Sequence, residues 1–155
     1  MADIVTEIDT IGDLIEPVAS FTRYYKQTLP KTYVANTFAI RWQGDNTPTE
    51  LSGMVYETAR PYQVTYFGNS EIDCMQKADA IQTELRKHIK VRLRGLDEYI
   101  TFGPFAFSAP YKTDTDGVYA VVGILLVHDY VERPRPEWQK MQRIEAEITE
   151  NGGGN

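Results

Sequence analysis

Cys74, His88 and His128 are the residues of this chain whose types could support nucleophilic catalysis, because a thiol needs a nearby base to activate it. Cys74 and His88 both fall on one predicted helix. They are 14 positions apart, so at about 1.5 Å per residue their backbones lie roughly 21 Å from each other. His128 lies in a long apolar segment, where a histidine is more often packed than catalytic. The sequence therefore offers no nucleophile with a base in reach.

Asp114, Asp116 and Gly117, in the run TDTDGV, match a fragment of a calcium-binding loop. The run lacks the other acidic positions and the terminal glutamate of that motif, so a hairpin turn is the better interpretation. Paired Cys or His spacing for zinc is missing, and the glycine cluster at 151–155 precedes no helix that could hold a phosphate. We expect no metal, no cofactor and no enzymatic activity.

A cluster of cations lies between positions 86 and 94, in a chain with a formal net charge of −6. One interpretation is that these side chains complement a helix dipole and stay solvated, each worth about 0.3–1 kcal/mol. The alternative is an anionic partner, either the acidic surface of a neighbouring subunit or nucleic acid. The cluster lacks interleaved aromatics for base stacking, which disfavours nucleic acid. The candidate subunit-interface residues here are Arg86, Lys90, Arg92 and Arg94.

The composition predicts one domain over residues 1–150 and a disordered tail over 151–155, since 42% of the 155 residues are hydrophobic and the end is NGGGN. Acids outnumber bases 22 to 16, which disfavours broad attraction to nucleic acid or an anionic membrane. The single cysteine favours a reducing compartment. The acidic N-terminus does not fit a signal peptide, and no apolar run reaches the roughly 20 residues of a membrane helix. We expect cytoplasmic folding.

The clearest predicted element is an amphipathic helix from Ser70 to Ile89, with Ser70 as its N-cap. Its apolar stripe is predicted to pack on a sheet, and comprises Cys74, Met75, Ala78, Ile81, Leu85 and Ile89. An earlier helix is predicted over 4–15, with a break near Glu16 and a second helical piece that begins at Pro17.

Four strands are predicted, over 33–43, 54–67, 99–111 and 118–132, the last of them central in the sheet. The second is expected to begin in earnest after Pro61, or to have a bulge or an edge position there. The polar stretch from 44 to 53 reads as a mobile loop. The fold class is α+β, a mainly antiparallel four-stranded sheet with helices on one face, in the order α-β-β-α-β-β-α.

A last helix is predicted beyond Pro134 and Pro136. Its apolar stripe is Trp138, Met141, Ile144 and Ile148. Either the helix joins subunits or it folds back over its own core, because any amphipathic helix needs only some apolar surface to cover. These four residues complete the candidate interface set.

Two segments carry a resemblance to a known family: ARPYQVTYFGNSEIDCMQKADAIQTEL, a strand followed by a capped helix, and YITFGPFAFSAPYKTDTDGVYAVVGILLVHDYVERPRPEWQKMQRIE, a hairpin followed by a charged helix. In element order and hydrophobic pattern the chain resembles, over roughly 54–145, the tail terminator (tail completion) proteins of long-tailed bacteriophages. The N-terminal part and the 44–53 stretch have no counterpart in this likeness.

The resemblance implies a virion structural protein without cofactor or catalytic residue. Such a protein forms a homo-oligomeric ring, commonly a hexamer, at the head-proximal end of the tail, and meets the tail tube protein and a head-tail connector protein. It would be assembled in the host cytoplasm. Two alternatives remain: a head-tail connector (neck) protein, and a small ligand-binding or enzymatic α+β domain.

Overall fold

Two helices and eight strands make up residues 3–134, the part of the chain that the computed structural model describes. The helices are α1 (Ile4–Ala19) and α2 (Glu71–Lys87). The strands are β1 (Arg23–Lys26), β2 (Thr37–Trp42), β3 (Thr49–Glu50), β4 (Val55–Gly68), β5 (Lys90–Arg92), β6 (Tyr99–Phe102), β7 (Tyr111–Lys112) and β8 (Tyr119–Glu132).

The strands form one mixed sheet with the order β1-β2-β4-β8-β6-β5, to which β3 is added on β4 and β7 on β8. The pairing of β1 with β2 is parallel, and the other pairings are antiparallel. The predicted fold class, a four-stranded sheet in the order α-β-β-α-β-β-α, is therefore wrong. It missed β1, β3 and β5, whose residues carry too little local pattern, and it merged β6 with β7.

The sheet is built around β4 and β8, which pair along all 14 residues of each strand, from Val55 opposite Glu132 to Gly68 opposite Tyr119. The prediction that the last strand is central is confirmed. Pro61 interrupts nothing, although it has no N–H to donate. Its carbonyl accepts from Gln43 N at 3.0 Å, and the N–H and C=O of one strand residue point to the same side. The missing N–H would therefore lie just past the end of β2, where no strand hydrogen bond depends on it.

The stretch predicted as a loop between 44 and 53 follows the edge of β4 after β2 ends. Asn46 N donates to Ala59 O at 3.0 Å, and β3 then pairs with Tyr56 and Glu57. The residues that form these backbone hydrogen bonds are polar and rich in turn formers, and they lack the β-branched and aromatic residues typical of strands. No strand was therefore predicted there.

The first helix is continuous through Pro17, so the predicted break near Glu16 is wrong. Pro17 lies in the last turn, where the lost bond and the steric clash affect little of the helix. Ser20 then ends it in the left-handed conformation, with its N–H bonded to Glu16 O at 2.9 Å. The predicted second helical piece is instead β1, because residues 23–26 pair with β2.

The second helix confirms the prediction for its start and most of its buried stripe. Ser70 Oγ accepts from Asp73 N at 3.1 Å. Two residues of the predicted stripe are wrong: Met75 is 57% exposed, and Ile89 is 75% exposed because the helix ends at Lys87. The buried residues are Cys74, Ala78, Ile81 and Leu85.

The predicted strand from 99 to 111 is divided, because the chain leaves the sheet after Phe102 and passes over Gly123. A Cβ at Gly123 would lie 2.7 Å from both Ala106 O and the Phe105 ring. A glycine in β8 therefore lets this segment approach the backbone closely.

The two faces of the sheet differ, as the alternation of side chains along β4 and β8 requires. On the inner face, Tyr62, Val64 and Tyr66 are fully buried with the apolar residues of both helices. On the outer face a smaller cluster is covered by Tyr25, Leu29 and Tyr33 rather than by a helix. Between residues 3 and 134, neither helix is long and apolar enough to cross a membrane. The predicted domain limit at 150 and the tail lie outside the described residues.

Candidate assembly surface

The sheet opens into a groove where β6 separates from β8. These two strands pair only at Thr101–His128 and Phe102–Val127, so Tyr99 and Tyr130 beyond them are not paired with each other. The space left has a volume of about 530 Å³. We call it the edge groove; its lining includes Ile89, Lys90, Tyr99, Thr101, Tyr130 and Val131.

Large apolar side chains are exposed in the edge groove: Ile89 at 75%, Tyr130 at 60% and Tyr99 at 46%. An exposed group of apolar side chains in one groove is a candidate interaction surface. Lys90 Nζ lies 5.2 Å from the centre of the Tyr99 ring. Tyrosine is enriched at the centre of protein interfaces, which makes Tyr99 and Tyr130 the candidate anchors here. In the described part of the chain, Lys90 is the one cation of the groove, beside four acids that also line it: Asp97, Glu98, Asp129 and Glu132.

The structure separates the cations of the predicted interface into different surroundings. Lys90 lies in the edge groove. Arg92 is on the same short strand, where its Nε donates to Leu96 O at 3.1 Å and its guanidinium lies 3.9 Å from Asp97. Arg86 Nε donates to Phe105 O at 3.1 Å.

Arg94 is held by acids of the same chain. It forms a bidentate ion pair with Asp13 of α1 and lies 3.5 Å from Asp9. These contacts, the one to Asp13 above all, raise the pKa of Arg94. Lys90 and Arg92 are thus the cations that lie nearest the groove, whereas Arg94 fastens the segment after β5 to the first helix. The apolar half of the predicted set, Trp138, Met141, Ile144 and Ile148, lies outside the described residues.

The residues considered for catalysis lie on opposite sides of the sheet. Cys74 is buried in the inner core, and burial raises the pKa of its thiol to about 11. His128 is opposite Ala59 in β8 and contacts Glu57 of β4 through Nδ1 at 2.5 Å, a pair on the outer face. His88 contacts Glu84 at 2.8 Å. In the part of the chain that the structure describes, no three His, Cys, Asp or Glu side chains are grouped to hold a metal ion.

The run TDTDGV forms a turn, as predicted. Gly117 has a φ of +73°, and Thr113 N donates to Val118 O at 3.0 Å to close the hairpin between β7 and β8. Asp114 and Asp116 thus belong to a connection between strands.

The sequence analysis missed the aromatic residues of the groove. Tyr99 and Tyr130 fell inside predicted strands, where an aromatic residue is expected to be packed. The alternation of side chains along β8 could have indicated this exposure. Tyr130 lies an even number of residues from Ile124 and His128, so it is on the same face of the strand, and these two residues are not buried either. The exposure of Ile89 depended on where α2 ends, and helix ends are poorly defined by sequence.

Comparisons with known proteins give a structural likeness. No protein-family model matches the chain, and no curated protein matches its sequence. Among solved structures, a chain from the virion of a native gene transfer agent (GTA) particle is similar in fold, with a TM-score of 0.51 and 6% sequence identity. The alignment covers 81% of this chain and 98% of that chain. At this identity the likeness concerns the fold.

Proposed function

We propose that this chain is a virion structural protein, and within that class a tail terminator: a ring that caps the head-proximal end of a phage tail tube and joins it to the head. The observation that supports the proposal is the similarity to the GTA virion chain, 98% of which aligns with this fold. The common architecture therefore makes up nearly all of that virion component rather than one domain of it.

The edge groove is consistent with assembly. Subunits related by rotation contact each other head to tail, so that one patch meets a different patch on the next copy, and the ring closes if the angle permits. The exposed Ile89, Tyr99 and Tyr130 provide apolar area for one such patch. The amphipathic stretch that contains Trp138 and Ile148 is our candidate for the segment that a neighbouring copy contributes.

The proposed partners are other copies of this chain in a hexamer, the tail tube protein and a head-tail connector protein. The proposed location is the head-proximal end of the virion tail, after assembly in the host cytoplasm. The proposal requires no cofactor and no catalytic residue, so we do not assign this protein an enzymatic activity.

Mass measurement in solution and negative-stain microscopy test the function, first on the purified chain and then with purified tail tubes. We expect closed rings that bind one end of each tube. Rings that bind heads but never tube ends would favour the connector alternative. A strict monomer that binds a small molecule would favour the ligand-binding or enzymatic domain and contradict the proposal.

A further inference from the structure

A second surface feature, distinct from the edge groove, lies on the outer face near β2. It is a cavity of about 280 Å³ between the 29–33 segment, the outer sides of β2 and β4, and the hairpin that follows β7. We call it the arginine pocket. Its lining includes Arg41, Lys112, Gln63, Tyr33, Tyr111 and Asp114.

Arg41 is the unusual member of this pocket. Its Nε is buried and has no hydrogen-bond partner within residues 3–134, and its guanidinium forms no ion pair there. The contact it does make is weak, because Nη1 lies 3.5 Å from Gln63 Oε1. A buried N–H without an acceptor, such as the Nε of Arg41, costs free energy that a bound anion would recover.

Buried polar atoms in native proteins almost always have partners. The unpartnered Nε of Arg41, at the wall of a cavity, therefore points to an occupant that supplies an acceptor. Lys112 is a second cation in the lining of the same cavity.

The lining selects the kind of anion. A planar guanidinium matches the two oxygens of a carboxylate in bidentate fashion. The stacked rings of Tyr33 and Phe67, 4.5 Å apart, provide an apolar wall for the methylene groups of an acidic side chain. Nucleic acid is disfavoured because the chain has a net charge of −6.

We propose that the arginine pocket receives an Asp or Glu side chain from a second copy of this chain. The proposal rests on the homo-oligomer of the proposed function. Each copy carries 22 acidic residues against 16 basic ones, so a neighbouring copy offers carboxylates in excess. The contact would be heterologous, with the pocket of one subunit occupied by an acid from a different surface of the next.

Zero-length crosslinking of the full chain tests the pocket directly. Arg41→Lys places an amine in it, and a carbodiimide joins that amine to a carboxylate in contact with it. With a mixture of ¹⁵N-labelled and unlabelled protein, mass spectrometry distinguishes links between copies from links within one copy. We expect a mixed-label link between position 41 and one acidic residue. A link only to Asp114 of the same copy, or no link in an assembled sample, would overturn the proposal.

Sedimentation velocity of the folded variants gives an independent measure. Arg41→Gln is expected to weaken self-association at least roughly tenfold. The matched control is Arg23→Gln, which removes an exposed arginine of the neighbouring strand that does not line the pocket, and it is expected to assemble normally. Wild type that is monomeric contradicts the proposed function as well. Wild type that assembles while Arg41→Gln assembles equally well contradicts only the present inference, and reduced binding of Arg41→Gln to duplex DNA with unchanged assembly would assign the pocket to phosphate instead.

Discussion

Glu7 and Arg60 form an ion pair of 3.2 Å between α1 and β4, with Glu7 fully buried and Arg60 4% exposed. Tyr62 donates its hydroxyl hydrogen to the other oxygen of Glu7, and Arg60 Nε donates to Asp45 at 3.1 Å. Trp42 Nε1 donates to the same Asp45 oxygen at 2.9 Å. The first helix, β4 and the segment after β2 are thus joined through one polar cluster within the inner core.

At a pH above the raised pKa of Glu7, replacing Arg60 with methionine is expected to lower the free energy of unfolding by about 3–5 kcal/mol, because it leaves the Glu7 carboxylate buried without its cation. Urea denaturation followed by circular dichroism measures the change. The control is Arg133→Met, which removes the exposed ion pair with Glu50 and is expected to have a much smaller effect. An equal decrease in the free energy of unfolding in the two variants would show that burial of the Glu7–Arg60 pair does not determine how much it contributes to stability.

The stability of the wild type relative to Glu7→Gln is expected to fall as pH rises. Burial raises the pKa of Glu7, so the folded state keeps this proton at pH values where the unfolded state has lost it. The folded state then binds more protons, and the slope of unfolding free energy against pH is negative for this group. The change begins near the ordinary glutamate pKa of about 4.3 and is complete above the raised value. Thermal denaturation of both proteins between pH 4 and 8 measures it, and parallel curves would refute it.

Leu85→Ala is expected to lower the free energy of unfolding by about 2–5 kcal/mol, because Leu85 is 2% exposed where α2 meets the sheet. Met75→Ala on the same helix is the matched control. Met75 is 57% exposed, so a change within about 0.5 kcal/mol is expected. Chemical denaturation of both variants decides whether the helix is packed as described.

The Cys74 thiol is expected to react slowly with Ellman's reagent at pH 8 while the protein is folded. Burial raises its pKa to about 11, roughly two units above an ordinary thiol, so the thiolate fraction falls roughly 100-fold. Steric burial slows the reaction further. Unfolding in guanidinium chloride is expected to restore a rapid reaction. A fast reaction in the native protein would show that the inner core opens near α2.

Reversing the groove cations with Lys90→Glu and Arg92→Glu is expected to weaken assembly most strongly at low salt, where charge interactions are least screened. Arg94→Glu is expected to act differently, because it places a third carboxylate beside Asp9 and Asp13 and so destabilises the contact with α1. Sedimentation velocity at two salt concentrations, together with thermal denaturation, separates the effects. Unchanged assembly of the Lys90→Glu, Arg92→Glu double variant at low salt would mean that these cations are merely solvated.

Deleting residues 134–155 is expected to give a folded protein that no longer assembles, if the segment containing Trp138 and Ile148 joins neighbouring copies. Circular dichroism and sedimentation velocity measure the two properties. An unfolded or aggregated product would instead support a segment that covers its own core. A folded, fully assembled ring would contradict the joining role.

What could be predicted from the sequence was local. The Ser70 cap, the buried stripe through Leu85 and the turn at Gly117 depend on neighbours a few positions away, and the structure confirms them. Pro17 was interpreted as a break in a helix, and Pro61 as the start of a strand, a bulge or an edge position. Each lies where its missing donor costs little, at the end of a helix and beyond the end of a partner strand, and neither position is visible in the local sequence.

Elements that depend on distant partners were missed for a physical reason. Residues 23–26 extend only because β2 provides a parallel partner, and β5 forms against β6. The candidate sites follow the same rule: the interpretation of Arg94 as an interface residue could not anticipate Asp13, 81 positions away. One indication of the position of Arg41 was present in the sequence. Phe38, Ile40 and Trp42 were predicted to share one face of the strand, which places Arg41 on the opposite face.

The two terminal strands of the sheet are short and bear cations, RYYK in β1 and KVR in β5. An unpaired strand edge is a template on which other chains can grow into amyloid-like aggregates. Here two copies that approach edge to edge present like charges to each other at Arg23 and Lys90, whereas Lys26 and Arg92 are paired with Asp9 and Asp97. On the β2 side of β4, beyond the end of β2, the chain from Gln43 to Glu50 forms hydrogen bonds with the β4 backbone. That part of the β4 edge is therefore not free to pair with another strand. Growth of the sheet by addition of strands is therefore disfavoured at both of its ends.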